Sequence, residues 1–310
     1  MPNTYFLTLV ASNTPLSESI IGGVELILLD HGLKGDAPRT WLSENKALDI
    51  ALPKKPDETL LDDIKNILEH VRIDHFISPK QDRRKKLLIA DMDSTIVAEE
   101  TLDEVAAEFK LRPMISAITQ SAMRGEIDFD SSLRKRVALL AGKPIKTMEK
   151  VRDNTILNAG AKTLVGTMRR HGARCVLVSG GFTYFTSSVA QRCNFHHHHG
   201  NDLPHKDGKI TGFLNGPILN PKAKLAFMKE YMTPMRLKPR QVMAIGDGAN
   251  DKDIIKYAGL GIGYYPTPVL EKATQNVIRY GDLTAALYAQ GFKEKEFRRP
   301  SPHKLALREE

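Results

Sequence analysis

The stretch Leu87-Leu88-Ile89-Ala90-Asp91-Met92-Asp93-Ser94-Thr95 joins four consecutive apolar residues to two carboxylates placed two residues apart. A short continuous apolar run suits a parallel strand, which helices cover on both faces so that no position is left for water. Similar runs recur at Cys175-Val176-Leu177-Val178, Val242-Met243-Ala244-Ile245 and Leu260-Gly261-Ile262-Gly263, with helix-compatible segments between them. Strands that alternate with helices in this way predict a doubly wound parallel sheet. Such sheets bind ligands beyond the carboxyl ends of their strands. Three of the four runs end on residues able to do chemistry: Asp91 and Asp93, then Ser179-Gly180-Gly181-Phe182, then Gly246-Asp247-Gly248-Ala249-Asn250-Asp251. Taken singly, each has an ordinary explanation as a solvated turn, a tight turn needing glycine, or acids at a helix start.

Working outward, residues 1 to about 80 alternate apolar runs and helical patterns at Tyr5 to Val10, Ser17 to Asp30, Ala47 to Leu52 and Glu58 to Val71. That predicts a small N-terminal α/β domain, a module dispensable for chemistry. The polar, basic stretch Ser78 to Lys86 reads as a linker, and the main domain as 81–300. Between about 100 and 158 the pattern is helical without a convincing strand, which predicts a helical cap inserted after the first core strand. Its opening, Thr101-Leu102-Asp103-Glu104, reads as a capping box, and Leu102, Val105, Ala106 and Phe109 form a core stripe at helical spacing. One more helix is expected over Leu283 to Gln290, before a flexible tail at 301–310.

Composition narrows the class. A chain of 310 residues, 41% hydrophobic and 26% charged, can build two domains. The net charge of +8 is scattered, and its clusters, Arg83-Arg84-Lys85-Lys86 and Arg298-Arg299, have no aromatic stacking platform, which argues against nucleic acid as a partner. Two cysteines outside any Cys-x-x-Cys pair give neither a disulfide framework nor a cysteine zinc site. With no basic N-terminal region and no apolar run near the ~20 residues a membrane span requires, a cytoplasmic protein with no membrane partner is expected.

The three strand ends together resemble the haloacid dehalogenase (HAD) superfamily, and over Lys86 to Phe292 the chain is similar to its phosphoserine phosphatase family. DMDSTIVAEETLDE at 91–104, LVSGGF at 177–182 and GDGAND at 246–251 carry the superfamily likeness. GEIDFDSSLRKRV at 125–137 and DGKITG at 207–212 point to the phosphoserine branch. The resemblance implies a HAD-like Rossmannoid core acting on a small molecule, phosphoserine, in the last step of serine biosynthesis.

By the same resemblance Asp91 is the nucleophile that forms an aspartyl-phosphate, and Asp93 the general acid and base. Mg²⁺ is held by the Asp91 carboxylate, the Asp93 carbonyl and Asp247, with Asp251 supporting them. Ser179, Gly180, Asn250 and Lys224 meet the phosphate, Lys224 being chosen over Lys222 and Lys229 because it follows alanine as in the family motif. Glu100 meets the substrate ammonium and Arg136 its carboxylate, a task to which a planar guanidinium is suited. Met123 and Phe129 stand at apolar cap positions that exclude water.

Some features depart from the family pattern. The histidines His196 to His199 precede a polar stretch and match a variable loop, where adventitious nickel or zinc binding is expected over a functional metal site. Tyr264-Tyr265-Pro266-Thr267-Pro268 replaces the alanine-lysine-proline of the family. The N-terminal domain is open between an ACT-like regulatory role, a solubilising role and a dimerising one, so a homodimer is one possible assembly. Two other functions compete with the phosphoserine reading: a HAD phosphatase or phosphotransferase acting on another small phosphorylated amino acid such as phosphohomoserine, and a regulatory amino-acid-binding protein without catalysis.

Overall fold

Strand β1 (Tyr5–Ala11) carries Leu7, Leu9 and Ala11 on one side and Thr8 and Val10 on the other, and all five are buried. Side chains alternate across a strand, so this strand must be covered on both faces. In the computed structural model, which describes residues 5–33, 38–123 and 126–299, the two covers come from different parts of the chain. The first is local. β1, α1 (Glu18–Asp30), β2 (Arg39–Ser43), β3 (Ala47–Leu52), α2 (Glu58–Val71) and β4 (Ile73–Pro79) form an antiparallel sheet of order β2-β3-β1-β4. This is the split βαβ arrangement of ferredoxin-like folds. The side chains of Ser17 and Asp57 cap α1 and α2, and both helices lay apolar stripes on Leu7, Leu9, Leu48, Ile50 and Ile77.

The second cover is the rest of the chain. β5 (Leu87–Ala90) leads into four cap helices, α3 (Thr101–Glu108), α4 (Arg112–Met123), α5 (Phe129–Ala138) and α6 (Lys146–Asn154). There follow α7 (Ala161–Arg170), β6 (Arg174–Phe182), α8 (Thr183–Cys193), β7 (His197–Asn201), a small hairpin of β8 (His205–Lys206) and β9 (Lys209–Ile210), and α9 (Pro221–Met232). β10 (Val242–Gly246), α10 (Lys252–Tyr257), β11 (Leu260–Tyr264), α11 (Pro268–Glu271), β12 (Val277–Ile278) and α12 (Ala285–Ala289) complete the described fold. The main sheet is six-stranded and parallel, in the order β12-β11-β10-β5-β6-β7, as the apolar runs predicted. Among the described residues, no helix is long and apolar enough to cross a membrane.

The stretch read as a solvated linker is a buried anchor instead. Ser78 and Pro79 belong to β4, and Arg83 is inserted between the two sheets. Its guanidinium makes a two-pronged bond to Asp49 at 2.6 and 2.7 Å, and reaches Thr8 at 2.9 Å and Ser78 at 3.0 Å. Lys85 is buried as well, its ammonium held by the carbonyls of Asp82 and Arg240. Nearby, the Asp74 carboxylate accepts from the backbone amides of Arg279, Tyr280 and Gly281. Val10, Leu42, Ala47 and Phe76 pack in one cluster with Ala286 and Leu287 of α12, so the N-terminal sheet shares a core with the main domain. A groove of about 540 Å³ remains between α2 and the 271–280 segment, but its charged walls pair with one another through Lys65, Glu69, Glu271 and Arg279.

Two further expectations change. Thr101 is not a cap: its hydroxyl is buried without a hydrogen-bond partner, and Glu100 precedes α3 without a side-chain capping bond. The histidine run is the edge strand β7 rather than a loop. Each ring has its own partner: Cys175 N–H for His196, Arg174 for His197, Thr186 for His198 and Tyr231 for His199. The 301–310 tail lies outside the described residues.

Candidate active site

Register places the site. Ala90 on β5 pairs with Ile245 on β10 and Leu177 on β6, so Asp91 and Asp247, just past the ends of their strands, stand beside Ser179 within the last residues of β6. Asp91 is 4% exposed. One of its oxygens accepts from the Met92 amide at 2.7 Å; the other meets Asn250 Nδ2 at 3.1 Å and Lys224 Nζ at 2.6 Å. Lys224 also bonds Asp251 at 2.7 Å. Burial alone would lower this lysine, but Asp251 and Asp91 outweigh it and hold the ammonium above its usual range.

The sharp turn after the strand is made by Ser94, a non-glycine residue at φ 52°. Left-handed backbone is uncommon outside glycine and clusters at functional sites. Here it brings Thr95 Oγ1 to within 2.8 Å of Asp247 Oδ1 and lets Ser94 Oγ donate to Glu100 at 2.7 Å. The Asn158 side chain donates to the carbonyls of Thr95 and Val97, and Val97 bridges Leu157, so the cap's entry and exit segments are fastened together at its base.

Asp93 turns the other way. Its carboxylate accepts from the Thr101 amide at the start of α3 at 3.0 Å and from Ser179 Oγ at 3.3 Å. Burial first, and Glu100 second, push its pKa up to about 7. The helix start that the sequence assigned to a Thr-Glu capping box is thus served by Asp93. A side-chain carbon at Gly181 would stand 2.9 Å from this carboxylate, so a larger residue there would displace Asp93.

Carboxylate oxygens of Asp91, Asp247 and Asp251 lie within 4.8 Å of one another. Burial, then Asp91 and Asp251, push Asp247 up to about 8; burial, then Asp91, pushes Asp251 up to about 7. Lys224 balances only part of this charge. The donors are all hard oxygens, the set a divalent cation of the magnesium or calcium type selects.

The cap closes over this cluster. Phe129 Cζ would stand 3.1 Å from a side-chain carbon at Gly180, and Asn220 Nδ2 donates to Asp130 at 3.2 Å. The side chain of Met123 lies outside the described residues. Arg136 is half-buried on α5; apart from a long bond to the Ser132 carbonyl at 3.4 Å its guanidinium is unpaired among the described residues. Burial lowers its pKa, opposed by Asp103, Glu100 and Asp93. Loss of water in the cleft first, with Asp91 and Asp103 adding to it, raises Glu100. Thr95 and Asn158 carried no role in the sequence reading. The place of Thr95 directly after Asp93-Ser94 was the available signal, whereas nothing local marked Asn158.

A family model for haloacid dehalogenase-like hydrolases matches residues 88–256. The chain belongs to that family. It is similar to the phosphoserine phosphatase of Haemophilus influenzae, 37% identical over 201 residues that cover 65% of this chain and 64% of the relative. It is also similar to a solved HAD family hydrolase from Salmonella enterica serovar Typhi, 26% identical with a TM-score of 0.83 over 92% of this chain and 98% of that one. A phosphoserine phosphatase solved as a phospho-aspartyl intermediate analogue is 34% identical, with a TM-score of 0.62 over 66% of this chain and 98% of that one. The chain spans 52% to 64% of the length of the first curated relatives it matches. HAD phosphatases generally use a divalent metal, and the Asp91, Asp247 and Asp251 cluster supplies the carboxylates for one.

Proposed function

We propose that this HAD hydrolase is a phosphoserine phosphatase, converting O-phospho-L-serine and water to L-serine and phosphate through an aspartyl-phosphate on Asp91. The observation that carries the substrate is the half-buried guanidinium of Arg136, which among the described residues has only a long bond to the Ser132 carbonyl and lies near enough to Glu100 and Asp93 to feel their charge. A zwitterionic amino-acid head offers a carboxylate to the first and an ammonium to the second. A sugar phosphate offers neither.

The chemistry follows from the positions. An Asp91 oxygen attacks phosphorus as the bond from phosphorus to the serine oxygen breaks. Asp93, raised to about 7, holds a proton near neutral pH and gives it to that oxygen. It then takes a proton from the water that attacks the phosphorus of the acyl phosphate, which restores Asp91. Ser179, the Gly180 amide, Asn250 and Lys224 bind the phosphoryl oxygens, and their charge and dipoles favour the transition state. Mg²⁺ suits the oxygen donors, with the Asp91 and Asp247 carboxylates and the Asp93 carbonyl as its ligands and Asp251 behind them. When bound, it would offset the repulsion between the phosphate and Asp91.

The test is phosphate release with magnesium from phosphoserine, phosphothreonine, phosphohomoserine and a sugar phosphate, with trapping of labelled enzyme by rapid quench. Phosphoserine should be turned over best, and Asp91→Asn should lose both turnover and label. A preference for the sugar phosphate would overturn the substrate, and label retained by the variant would overturn the nucleophile.

A further inference from the structure

Two elements proposed to handle phosphate reach the site from separate parts of the chain: the irregular last residues of β6 with Ser179 and Gly180, and the first turns of α9 with Lys224. Asn201, the last residue of β7, lies between them and is 3% exposed. Its Nδ2 donates to the Gly180 carbonyl at 2.8 Å, and its Oδ1 accepts from the Leu219 amide at 2.7 Å. Leu219 directly precedes Asn220, which caps α9 by accepting from the Ala223 amide at 3.1 Å and also bonds Asp130 of the cap. One planar amide therefore joins the end of β6 to the start of the helix that carries Lys224.

We infer that Asn201 is a positioning residue for the phosphoryl group: without touching phosphate, it sets the separation between the Gly180 amide and the Lys224 ammonium. This rests on the reading that those two groups bind phosphate. The residue type follows from the bonds. The site needs one donor and one acceptor in a rigid group, which a side-chain amide supplies. An ionised aspartate has no donor for the Gly180 carbonyl. Alanine leaves a buried carbonyl and a buried amide both unpaired, and groups left so are costly. The end of β6 and the helix can then relax apart, and small misplacements of binding groups are expensive in rate.

The experiment compares Asn201→Ala and Asn201→Asp with the parent protein. It measures kcat and KM for phosphoserine and for p-nitrophenyl phosphate, the inhibition constant of inorganic phosphate, and thermal melting. Expected are a loss of about 10- to 100-fold in kcat/KM on both substrates and a clearly weaker inhibition by phosphate. Asn201→Asp should behave the same way, because it keeps the volume and the acceptor for Leu219 and loses only the donor. If the variants melt lower while the folded protein keeps the parent KM and phosphate inhibition constant, Asn201 serves stability alone and the inference fails. It fails also if neither variant folds. Should the parent protein prefer another phosphoester, the substrate reading falls, while the aryl phosphate and inorganic phosphate measurements still decide the role of Asn201.

Discussion

The Lys224 ammonium lies 2.6 Å from Oδ2 of Asp91, and the lysine side chain is 1% exposed. A buried ammonium shared by two carboxylates is costly to strand, and in the proposed reaction this one would orient the nucleophile while presenting positive charge to an arriving dianion. Among the described residues, Lys222 and Lys229 of the same helix have no such partner.

Lys224→Met nearly preserves volume and removes the charge. We expect kcat/KM to fall by about 10²- to 10³-fold, the cost of deleting one preorganised electrostatic group. The cation-free variant should lose about 3–5 kcal/mol of stability, because Asp91 and Asp251 are left facing each other. Steady-state kinetics and melting with and without magnesium check both. Parent-like kcat/KM would remove Lys224 from the site.

The acids predict a pH dependence in chelator. Asp247 at about 8, Asp93 at about 7 and Asp251 at about 7 all lie above the ordinary aspartate value. The folded state then binds more protons than the unfolded state from about pH 4 upward, so its stability falls as pH rises. Melting temperature in chelator should decline between pH 5 and 8, levelling off above the highest of these values. Magnesium needs the ionised carboxylates, so it should raise the melting temperature more at pH 8 than at pH 5. Equal stabilisation at both ends would mean that the Asp247 carboxylate is not one of its ligands.

Substrate identity rests on Arg136. Its contact is remote from phosphorus and can supply binding energy for orientation and cap closure. Arg136→Ala should cost roughly 2–5 kcal/mol in kcat/KM for phosphoserine if the ion pair is desolvated. An aryl phosphate lacks the carboxylate, so its slower turnover should change little. Equal losses on both substrates would make Arg136 structural.

The anchor between the two sheets predicts that the N-terminal sheet cannot simply be removed. Arg83→Met leaves Asp49 buried without its cation, although Thr8 Oγ1 still donates to it at 2.8 Å, and should destabilise the protein by about 3–5 kcal/mol, whereas Arg83→Met with Asp49→Leu should recover much of the loss. A chain beginning at Gln81 would bare Ala286 and Leu287 of α12 and should aggregate, which size-exclusion chromatography would show. A monodisperse, active truncated protein would refute the shared core.

The central strands were legible because burial on both faces writes itself as a continuous apolar run, as in Leu87 to Ala90. β2 and β7 were not. Arg39, Thr40 and Trp41 are exposed at a sheet edge, and the histidines of β7 become a strand through tertiary packing, His199 stacking on Phe227 at 4.1 Å. The catalytic candidates lie within contiguous motifs, and so could be named from sequence. Asn158 and Asn201 act through backbone groups far away in the chain, and an asparagine in a loop or at a strand end gives no local sign of that. Arg83 misled for a related reason: a basic run looks solvated until Asp49, Thr8 and Ser78 are brought to it.

The doubly covered N-terminal sheet also bears on synthesis. β4 ends at Pro79, while part of its second cover is α12, at Ala285–Ala289. At about 5–20 residues per second the ribosome needs on the order of 10–40 s to make the chain between them. For that interval the sheet has its own helices but waits without its other partner. The waiting face is not purely apolar: Thr8, Asp49, Asp74 and Ser78 are spread among Val10, Ala47 and Phe76. Arg83 follows Pro79 by four residues and can meet Thr8, Asp49 and Ser78 almost at once, whereas Asp74 must wait for the amides of Arg279 to Gly281, so the face that awaits α12 is closed in two steps, the polar one before the apolar one.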